Sequence, residues 1–287
     1  MSKKSISAKK IFLLLVILTG FYFFIEPFWL NVHRIDIYSE EIPVGFDNKS
    51  IAFLSDIHCG PYFPISRVKG LVTTVNYLNP DLAVLTGDYI QYGEKYINDC
   101  FAELKNIQTR YGSYAVLGNH DIWSSGESIK QKIKENNITL LDNFALWLNI
   151  GEDKIKLGGV GDYLSDKQDL SFTLSNLKIN DFSILLSHNP DYADELTPEE
   201  LDRIDLMLSG HTHGGQVSLF GLWSIYPSVY GKNIKTGIIR KNNMEIIVSK
   251  GIGTVTLPIR FFVRPEIIFI TLKHGQAPSP ILPNISN

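Results

Sequence analysis

Short apolar segments that each end in a polar, glycine-rich turn constrain the fold of this chain most strongly. Six such segments, each about five residues long, are predicted to be strands, at residues 50–55, 82–86, 114–117, 154–157, 182–186 and 204–208. Helical patterns lie between several of them, at residues 65–77, 96–109 and 127–136. This alternation of strands and helices predicts a layered α/β domain.

The pattern changes after Gly214. Further strands are predicted at residues 216–219, 236–240, 245–249 and 266–272, without strong helical patterns between them. We expect these strands to form a second, antiparallel set that completes a β-sandwich flanked by helices.

Five of the seven histidines follow these apolar segments directly, beside Asp, Asn, Gly or Ser. They belong to the blocks Asp56-Ile57-His58, Gly87-Asp88, Gly118-Asn119-His120-Asp121, Ser187-His188 and Gly210-His211-Thr212-His213-Gly214-Gly215. Ligands bind in loops beyond the carboxyl ends of strands in an open α/β sheet. The blocks are therefore predicted to meet at one rim and to form a single site.

The residue types in these blocks favour a metal site. Carboxylate oxygen and neutral imidazole suit Mn, Fe or Zn, and the lack of a cysteine cluster argues against a structural thiolate site. Residues two apart on an extended strand end point the same way, so Asp56 and His58 can bind one ion together. Asp88 is the natural bridging carboxylate if two ions lie about 3.5 to 4 Å apart.

In their order along the chain, the blocks resemble those of the calcineurin-like metallophosphoesterase superfamily: D-x-H, G-D, G-N-H-D/E, H and G-H-x-H. The resemblance implies an α/β fold, a four-layer α/β/β/α sandwich, with two divalent metal ions, Mn being favoured over Fe or Zn. One ion would be held by Asp56, His58, Asp88 and His213. The other would be held by Asp88, Asn119, His188 and His211.

The resemblance also implies a reaction, hydrolysis of a phosphodiester or pyrophosphate bond, with His120 as the catalytic residue. Two cations bridged by a hydroxide would lower its pKa and direct it in line at the phosphorus atom. A protonated His120 would donate a proton to the leaving oxygen. Many family members read G-D-x-x-D-R, whereas Gln91 and Tyr92 stand here for the second Asp and the Arg. This departure disfavours a phosphoprotein phosphatase and leaves His120 without its usual carboxylate partner. Whether Asp121 or Asp162 replaces that partner is a question for the structure.

The N-terminus predicts a membrane segment. Four lysines precede an apolar run that extends from Ile11 to Leu30, and about 20 apolar residues suffice to cross a bilayer. No small-residue cleavage pattern follows, so an uncleaved anchor in the bacterial cytoplasmic membrane is favoured over a cleaved signal or an interfacial helix. We expect a basic segment at 1–10, the transmembrane anchor at 11–30, the catalytic domain at 31–274 and a disordered tail at 275–287. The lysines favour a domain outside the cytoplasm.

More local motifs narrow the substrate class. Gly159-Val160-Gly161-Asp162, Gly214-Gly215-Gln216 and residues 251–266 resemble membrane-anchored bacterial phosphoesterases, some of which hydrolyse UDP-2,3-diacylglucosamine in lipid A synthesis. The resemblance implies a lipid-linked substrate, although that nucleotide lipid is made in the cytoplasm, on the other side from the predicted domain. A general phosphodiesterase acting on soluble or envelope phosphates and a non-catalytic scaffold are the alternatives.

Charge and the remaining side chains complete the expectations. The net charge of −3 argues against a nucleic-acid partner. Arg260 and Arg264 bracket Phe261 to Val263, and they either contact substrate phosphate or lipid head groups or extend along a surface. The aromatic segment 220–230 is expected to cover the core rather than to form a lipid-facing lip.

Overall fold

The computed structural model describes residues 8–91, 93–219, 223–224 and 236–278. Residues 1–7 of the expected basic segment, Tyr92, most of the aromatic segment 220–230 and residues 279–287 of the expected tail lie outside the described residues. The described helices are α1 (Ala8–Ile25), α2 (Ile65–Leu78), α3 (Ile97–Leu104), α4 (Asn119–Glu135), α5 (Ser171–Leu174) and α6 (Pro198–Asp202).

Two six-stranded sheets form the centre of the domain. The first contains, in spatial order, β1 (Asn31–Ser39), β14 (Glu266–His274), β2 (Ser50–Leu54), β3 (Leu82–Leu85), β4 (Ser113–Ala115) and β5 (Ile138–Leu140). The second contains β12 (Gly237–Lys241), β13 (Met244–Val248), β9 (Leu206–Ser209), β8 (Ser183–Leu186), β7 (Asp153–Gly159) and β6 (Phe144–Ile150). A two-residue pair, β10 (Ser218–Leu219) with β11 (Trp223–Ser224), lies outside both sheets.

The packing of these sheets confirms the expected four-layer α/β/β/α sandwich. One apolar cluster fills the space between the first sheet and helices α2, α3 and α4. A second cluster lies between the two sheets, and a third lies between the second sheet and the short helices around Tyr192 and Leu201. Strand β2 is apolar from Ile51 onward because both of its faces are covered: Leu54 faces the helices, Phe53 faces the other sheet, and both are fully buried.

The prediction that the strands after Gly214 form an antiparallel second set was wrong. β14 joins the first sheet, where it runs parallel to β1 and antiparallel to β2. The second sheet is mixed: β7, β8, β9 and β13 run parallel, and the edge strands β6 and β12 are antiparallel to their neighbours. An apolar strand that is buried on both faces carries no local mark of its pairing partner, because pairing is decided by segments far away in the chain.

Helix α1 stands apart from this core. Within the described part of the chain, Ala8–Phe28 is long and apolar enough to cross a membrane, with 21 residues and a mean hydropathy of 2.2. Its side chains are mostly exposed in the isolated molecule, except near Glu26 and Pro27, where the helix meets the domain. From there the chain enters β1 after one 3₁₀ turn.

Candidate metal centre

The seven residues expected to bind metal all lie at the carboxyl ends of strands in the two sheets. Asp56 and His58 follow β2, Asp88 follows β3, and Asn119 begins α4 shortly after β4. His188 follows β8, and His211 and His213 follow β9. Because the strands of each of these sets run parallel, their carboxyl ends lie at a common edge, and the structure brings six of these side chains, all except that of Asn119, into two groups.

Asp56, His58 and His213 form one group of donor atoms. Their ligand atoms all lie within 4.8 Å of one another, and all three residues are buried. The Nε2 atoms of His58 and His213 are 3.0 Å apart, and Nε2 of His213 is 3.4 Å from Oδ1 of Asp56. Two facing imidazole nitrogens and a carboxylate suit a divalent cation.

A second group consists of Asp88, His188 and His211, whose ligand atoms also lie within 4.8 Å of one another. Oδ2 of Asp88 is 3.3 Å from Nε2 of His188 and 3.5 Å from Nε2 of His58, which belongs to the first group. The other oxygen of Asp88 accepts a hydrogen bond from the backbone N–H of His120, at 2.9 Å. One carboxylate oxygen of Asp88 therefore faces both donor groups while the other is held by the backbone.

Two further observations fit divalent cations near these groups. The side-chain Oδ1 of Asn119 is buried and has no hydrogen-bond partner among the residues that the structure describes. A buried polar oxygen is costly without a partner, and a cation would satisfy it. In addition, Nδ1 of His188 lies 2.6 Å from the carbonyl of Thr86, which orients the ring and leaves Nε2 directed at Asp88.

Burial keeps several of the imidazoles neutral and thus able to donate a lone pair. It lowers the pKa of His58 to about 3, the pKa of His211 to about 3, and the pKa of His213 well below its usual range. Burial also raises the pKa of Asp56 to about 6.

The pair formed by Asp88 and His188 behaves differently. Burial alone would raise the pKa of Asp88 and lower that of His188, but their mutual attraction and hydrogen bond outweigh it. The pKa of Asp88 is therefore well below its usual range and that of His188 well above it.

The backbone of the ligand loops is held in an uncommon conformation. Five of the seven predicted ligands have positive φ angles between 48° and 68°: Asp56, His58, Asp88, His211 and His213. Non-glycine residues in this region cost on the order of 1 kcal/mol each and persist where the surroundings hold them, typically at functional sites. Backbone hydrogen bonds provide that hold here, since Asp56 N–H donates to the carbonyl of Gly87 and His58 N–H to that of Asp88.

Two glycines allow the loops to approach each other closely. A Cβ atom on Gly118 would lie 2.3 Å from Oδ1 of Asp88. A Cβ atom on Gly210 would lie 1.8 Å from Oγ of Ser55 and 2.3 Å from Oδ2 of Asp56. Both positions therefore require glycine for the ligands to keep their places.

Asp121 has a role that the sequence left open. Its Oδ2 accepts hydrogen bonds from the N–H groups of Asp88 and Gly118, at 2.8 and 3.0 Å, and its Oδ1 accepts one from Tyr89 at 2.8 Å and one from Ile90 at 3.3 Å. Asp121 thus holds the backbone of the Asp88 loop. Its side chain also caps the N-terminus of α4.

The ring of His120 has aromatic neighbours. It packs edge-on against His58, with ring centroids 4.9 Å apart, and lies at a tilt to the exposed Trp123, with centroids 5.2 Å apart.

Asp162 accepts a hydrogen bond from Leu164 N–H through Oδ2, and its Oδ1 is buried without a hydrogen-bond partner within the described part of the chain. Among the described residues, neither Asp121 nor Asp162 hydrogen-bonds to the His120 ring, so the structure shows no carboxylate that replaces the missing one.

Arg260 lies elsewhere than its sequence context suggests. The side chain is fully buried, and its guanidinium donates to the backbone carbonyls of Gly251, Gly253 and Val263. Gly253 N–H in turn donates to the carbonyl of Asp56 at 2.7 Å. The expectation that Arg260 contacts substrate or extends along a surface is corrected accordingly, since it lies behind a ligand loop. The local sequence does not show whether the Arg260 side chain is exposed or buried, because its burial depends on the packing of α1 and of the loops around it.

Comparison with known proteins adds independent findings. The sequence model of the family described as calcineurin-like phosphoesterase matches residues 49–215, more than half of the chain. The chain is 34% identical to an uncharacterized metallophosphoesterase of Bacillus subtilis, over 88% of this chain and 89% of that protein. It is 29% identical to a transmembrane protein with metallophosphoesterase domain of Danio rerio, over 85% of this chain and 58% of that protein. It is 27% identical to the phosphodiesterase YaeI of Escherichia coli, over 88% of this chain and 92% of that protein.

Proposed function

Because the chain belongs to the calcineurin-like phosphoesterase family, we propose that it is a membrane-anchored hydrolase that uses two divalent cations to cleave a phosphodiester or pyrophosphate bond. Family membership implies metal-dependent hydrolysis of phosphate esters. We propose three points beyond family membership: a second cation, anchoring in the membrane and a lipid-linked substrate. UDP-2,3-diacylglucosamine, an intermediate of lipid A synthesis, is the best single candidate for that substrate.

The position of Asp88 carries the proposal of two cations. Its Oδ2 lies within 3.5 Å of an imidazole nitrogen in each donor group, as a carboxylate shared between two ions requires. In this proposal Asp88 is shared between the ions. One ion would also be held by Asp56, His58 and His213, and the other by Asn119, His188 and His211.

The chemistry divides between the cations and the chain. Two divalent cations, for which Mn is our first choice, would lower the pKa of a bound water molecule and offset negative charge on the phosphate oxygens. The chain holds the ligands in strained loops that are fixed by backbone hydrogen bonds. His120 is partly exposed beside the first donor group, where a protonated ring donates a proton to the leaving oxygen.

The location of α1 supports membrane anchoring and a lipid-linked substrate. Segment Ala8–Phe28 satisfies the length and hydropathy of a single membrane span, and one relative is named a transmembrane protein. The end of α1 packs against the loop that contains Phe261, and the same loop contacts Asp56 through Gly253. In this proposal residues 11–30 anchor residues 31–274 to the cytoplasmic membrane, and the nucleotide-lipid substrate requires a domain that faces the cytoplasm.

A general phosphodiesterase acting on soluble or cell-envelope phosphates is the second candidate, which the name of the Escherichia coli relative favours. In that case α1 serves only to localise the enzyme. A non-catalytic scaffold is disfavoured because six of the seven expected ligands form two groups of neighbouring donor atoms.

A comparison of substrates tests these proposals. The detergent-solubilised full chain is loaded with manganese and supplied in parallel with UDP-2,3-diacylglucosamine and a soluble aryl phosphodiester, and UMP and phenol release are measured. Asp88→Ala is the test variant, and Asp99→Ala, an exposed aspartate on α3, is the matched control. We expect UMP release by the wild type and Asp99→Ala, and none by Asp88→Ala.

Other outcomes reject separate parts of the proposal. Release from the soluble diester without UMP release would reject the lipid A substrate and favour the second candidate. Unchanged turnover by Asp88→Ala would reject the shared carboxylate. A metal content of one ion per chain in active enzyme would reject the binuclear centre.

A further inference from the structure

Six side chains surround the point where α1 meets the globular domain. They come from three separate segments, and we call them the collar: Phe28, Trp29, Tyr62, Arg67, Phe262 and Arg264. The four aromatic residues of the collar are between 40% and 66% exposed. Large exposed aromatic side chains gathered at one place indicate a surface that contacts something other than water.

The collar is continuous with the apolar span. The ring of Tyr22, in the last turns of α1, lies 5.7 Å from that of Trp29 and 5.7 Å from that of Phe262. The ring of Phe23 stacks on Phe261 at 4.3 Å, and its carbonyl accepts a hydrogen bond from the N–H of Arg260 at 3.0 Å. The helix is therefore packed onto the domain at this point, so the position of α1 in a bilayer also determines the position of the collar.

The two arginines of the collar lie among its aromatic rings. The guanidinium of Arg67 lies 4.5 Å from the ring centroid of Phe28, and that of Arg264 lies 5.1 Å from the ring centroid of Trp29. Neither arginine forms an ion pair with a carboxylate among the described residues. Arg67 also donates to the backbone carbonyls of Tyr62 and Pro27, which are uncharged partners, and Arg264 is exposed. Both positive charges can therefore still attract a negatively charged group outside the chain.

We propose that the collar lies in the head-group region of a phospholipid bilayer, with its aromatic rings at the boundary of the hydrocarbon and its arginines on lipid phosphates. Amphipathic aromatic residues concentrate at this boundary, and arginine matches phosphate through its planar set of donors. The bilayer is the occupant because the collar begins where the apolar span ends. This inference rests on the proposed anchoring by α1 and not on the proposed substrate.

Contact between the collar and the bilayer would place the metal centre near the lipid surface. Tyr62 follows His58 by four residues on the same loop. Phe262 belongs to the loop in which Gly253 N–H donates to the carbonyl of Asp56. Two segments therefore both support the first donor group and reach the lipid head groups. This arrangement suits a substrate whose phosphate lies in the head-group region.

Depth measurements with spin labels test the collar directly. Single cysteines are introduced into the full chain, labelled and studied in liposomes of phosphatidylcholine and phosphatidylglycerol, and the accessibility of each label to oxygen and to a water-soluble nickel chelate is compared. Phe262→Cys and Tyr62→Cys report on the collar. Ile17→Cys reports on the middle of α1, and Ile179→Cys, at a position that is 85% exposed, reports on the aqueous side. The native cysteines are both buried, and the labelled wild type measures their background.

We expect the oxygen-to-nickel ratio to be highest at position 17, lowest at position 179 and intermediate at positions 62 and 262. Ratios at both collar positions equal to that at position 179, with a high ratio at position 17, would overturn the collar but leave the anchor in place. A low ratio at position 17 would overturn the anchoring and the collar together. Substrate is absent from these measurements, so neither outcome bears on the phosphoesterase activity.

Discussion

Replacement of Asp121 by asparagine tests whether this buried carboxylate holds the Asp88 loop. In the structure each carboxylate oxygen of Asp121 accepts from two backbone N–H groups, those of Asp88 and Gly118 at one oxygen and those of Tyr89 and Ile90 at the other. Asparagine offers one acceptor oxygen and one NH₂ group. Whichever way the amide turns, two backbone donors face another donor.

The size of the effect follows from the number of lost hydrogen bonds. A buried donor left without an acceptor costs about 1 to 3 kcal/mol, so two such donors predict a decrease of about 2 to 6 kcal/mol in the free energy of unfolding. The loop also carries Asp88, and loss of a group that orients a metal ligand typically lowers metal affinity about 10- to 100-fold. We expect both effects in Asp121→Asn.

Asp142→Asn is the matched control, since Asp142 is also buried but uses its carboxylate on one side only. Its Oδ1 accepts from Leu117 N–H at 2.9 Å, and its Oδ2 has no hydrogen-bond partner among the described residues. Asp142 therefore has a single backbone donor to satisfy, and the amide oxygen of asparagine can accept from it with little loss. We expect a change in unfolding free energy of at most about 1 kcal/mol.

Urea unfolding of the metal-free full chain and calorimetric titration with manganese provide the two measurements. The reasoning is refuted if Asp121→Asn unfolds at the same urea concentration as Asp142→Asn and binds manganese as the wild type does. A loss of stability without a loss of metal affinity would mean that Asp121 supports the fold but does not position Asp88.

Three further predictions follow from the structure. Gly210→Ala places a methyl group 2.3 Å from Oδ2 of Asp56 and is expected to abolish manganese binding measured by titration. Gly70→Ala is its control, because a Cβ atom there meets nothing within 4 Å, and it should raise the free energy of unfolding in urea by roughly 0.5 to 1 kcal/mol. Burial, together with a hydrogen bond to a neighbouring carboxyl group, raises the pKa of Asp205 to about 8. The contribution of the protonated carboxyl group to stability is therefore fully present below about pH 4 and is lost as pH rises to about 8. Asp205→Asn should raise the Tm more at pH 8 than at pH 5. Combined replacement of Arg67 and Arg264 by glutamine removes about 1 kcal/mol of attraction to anionic lipid per arginine and should lower the oxygen-to-nickel ratio of a label at position 262.

Each of these predictions has an outcome that contradicts it. Manganese binding by Gly210→Ala equal to that of the wild type would show that the loop can move away from the added methyl group. An equal rise in Tm at the two pH values would show that Asp205 does not retain its proton in the folded state. Arg110→Gln, an exposed arginine that also lies against an aromatic ring, is the control for the collar, and an equal effect of the two replacements would argue against specific contact with lipid phosphate.

Much of the candidate site was predictable because metal binding depends on residue type and spacing. Asp56 and His58, two residues apart after an apolar strand, already indicate a pair of ligands. The same reasoning extends to His211 and His213, and the structure gathers all of these side chains at one rim. The roles of Asp121 and Arg260 were not predictable, because each is defined by backbone groups that come from several distant segments.

The sequence by itself determined most of the strands, since a run of apolar residues bounded by glycine and polar residues can be buried in few ways. It did not predict β1, β5 or β6. It also determined the chemistry of the ligands and the presence of an apolar span. Only the tertiary structure decided that β14 lies between β1 and β2, that Arg260 is buried and that three segments form the collar. Strand pairing, burial of a charge and gathering of exposed side chains all depend on contacts between residues far apart in the chain, and local sequence carries no record of those contacts.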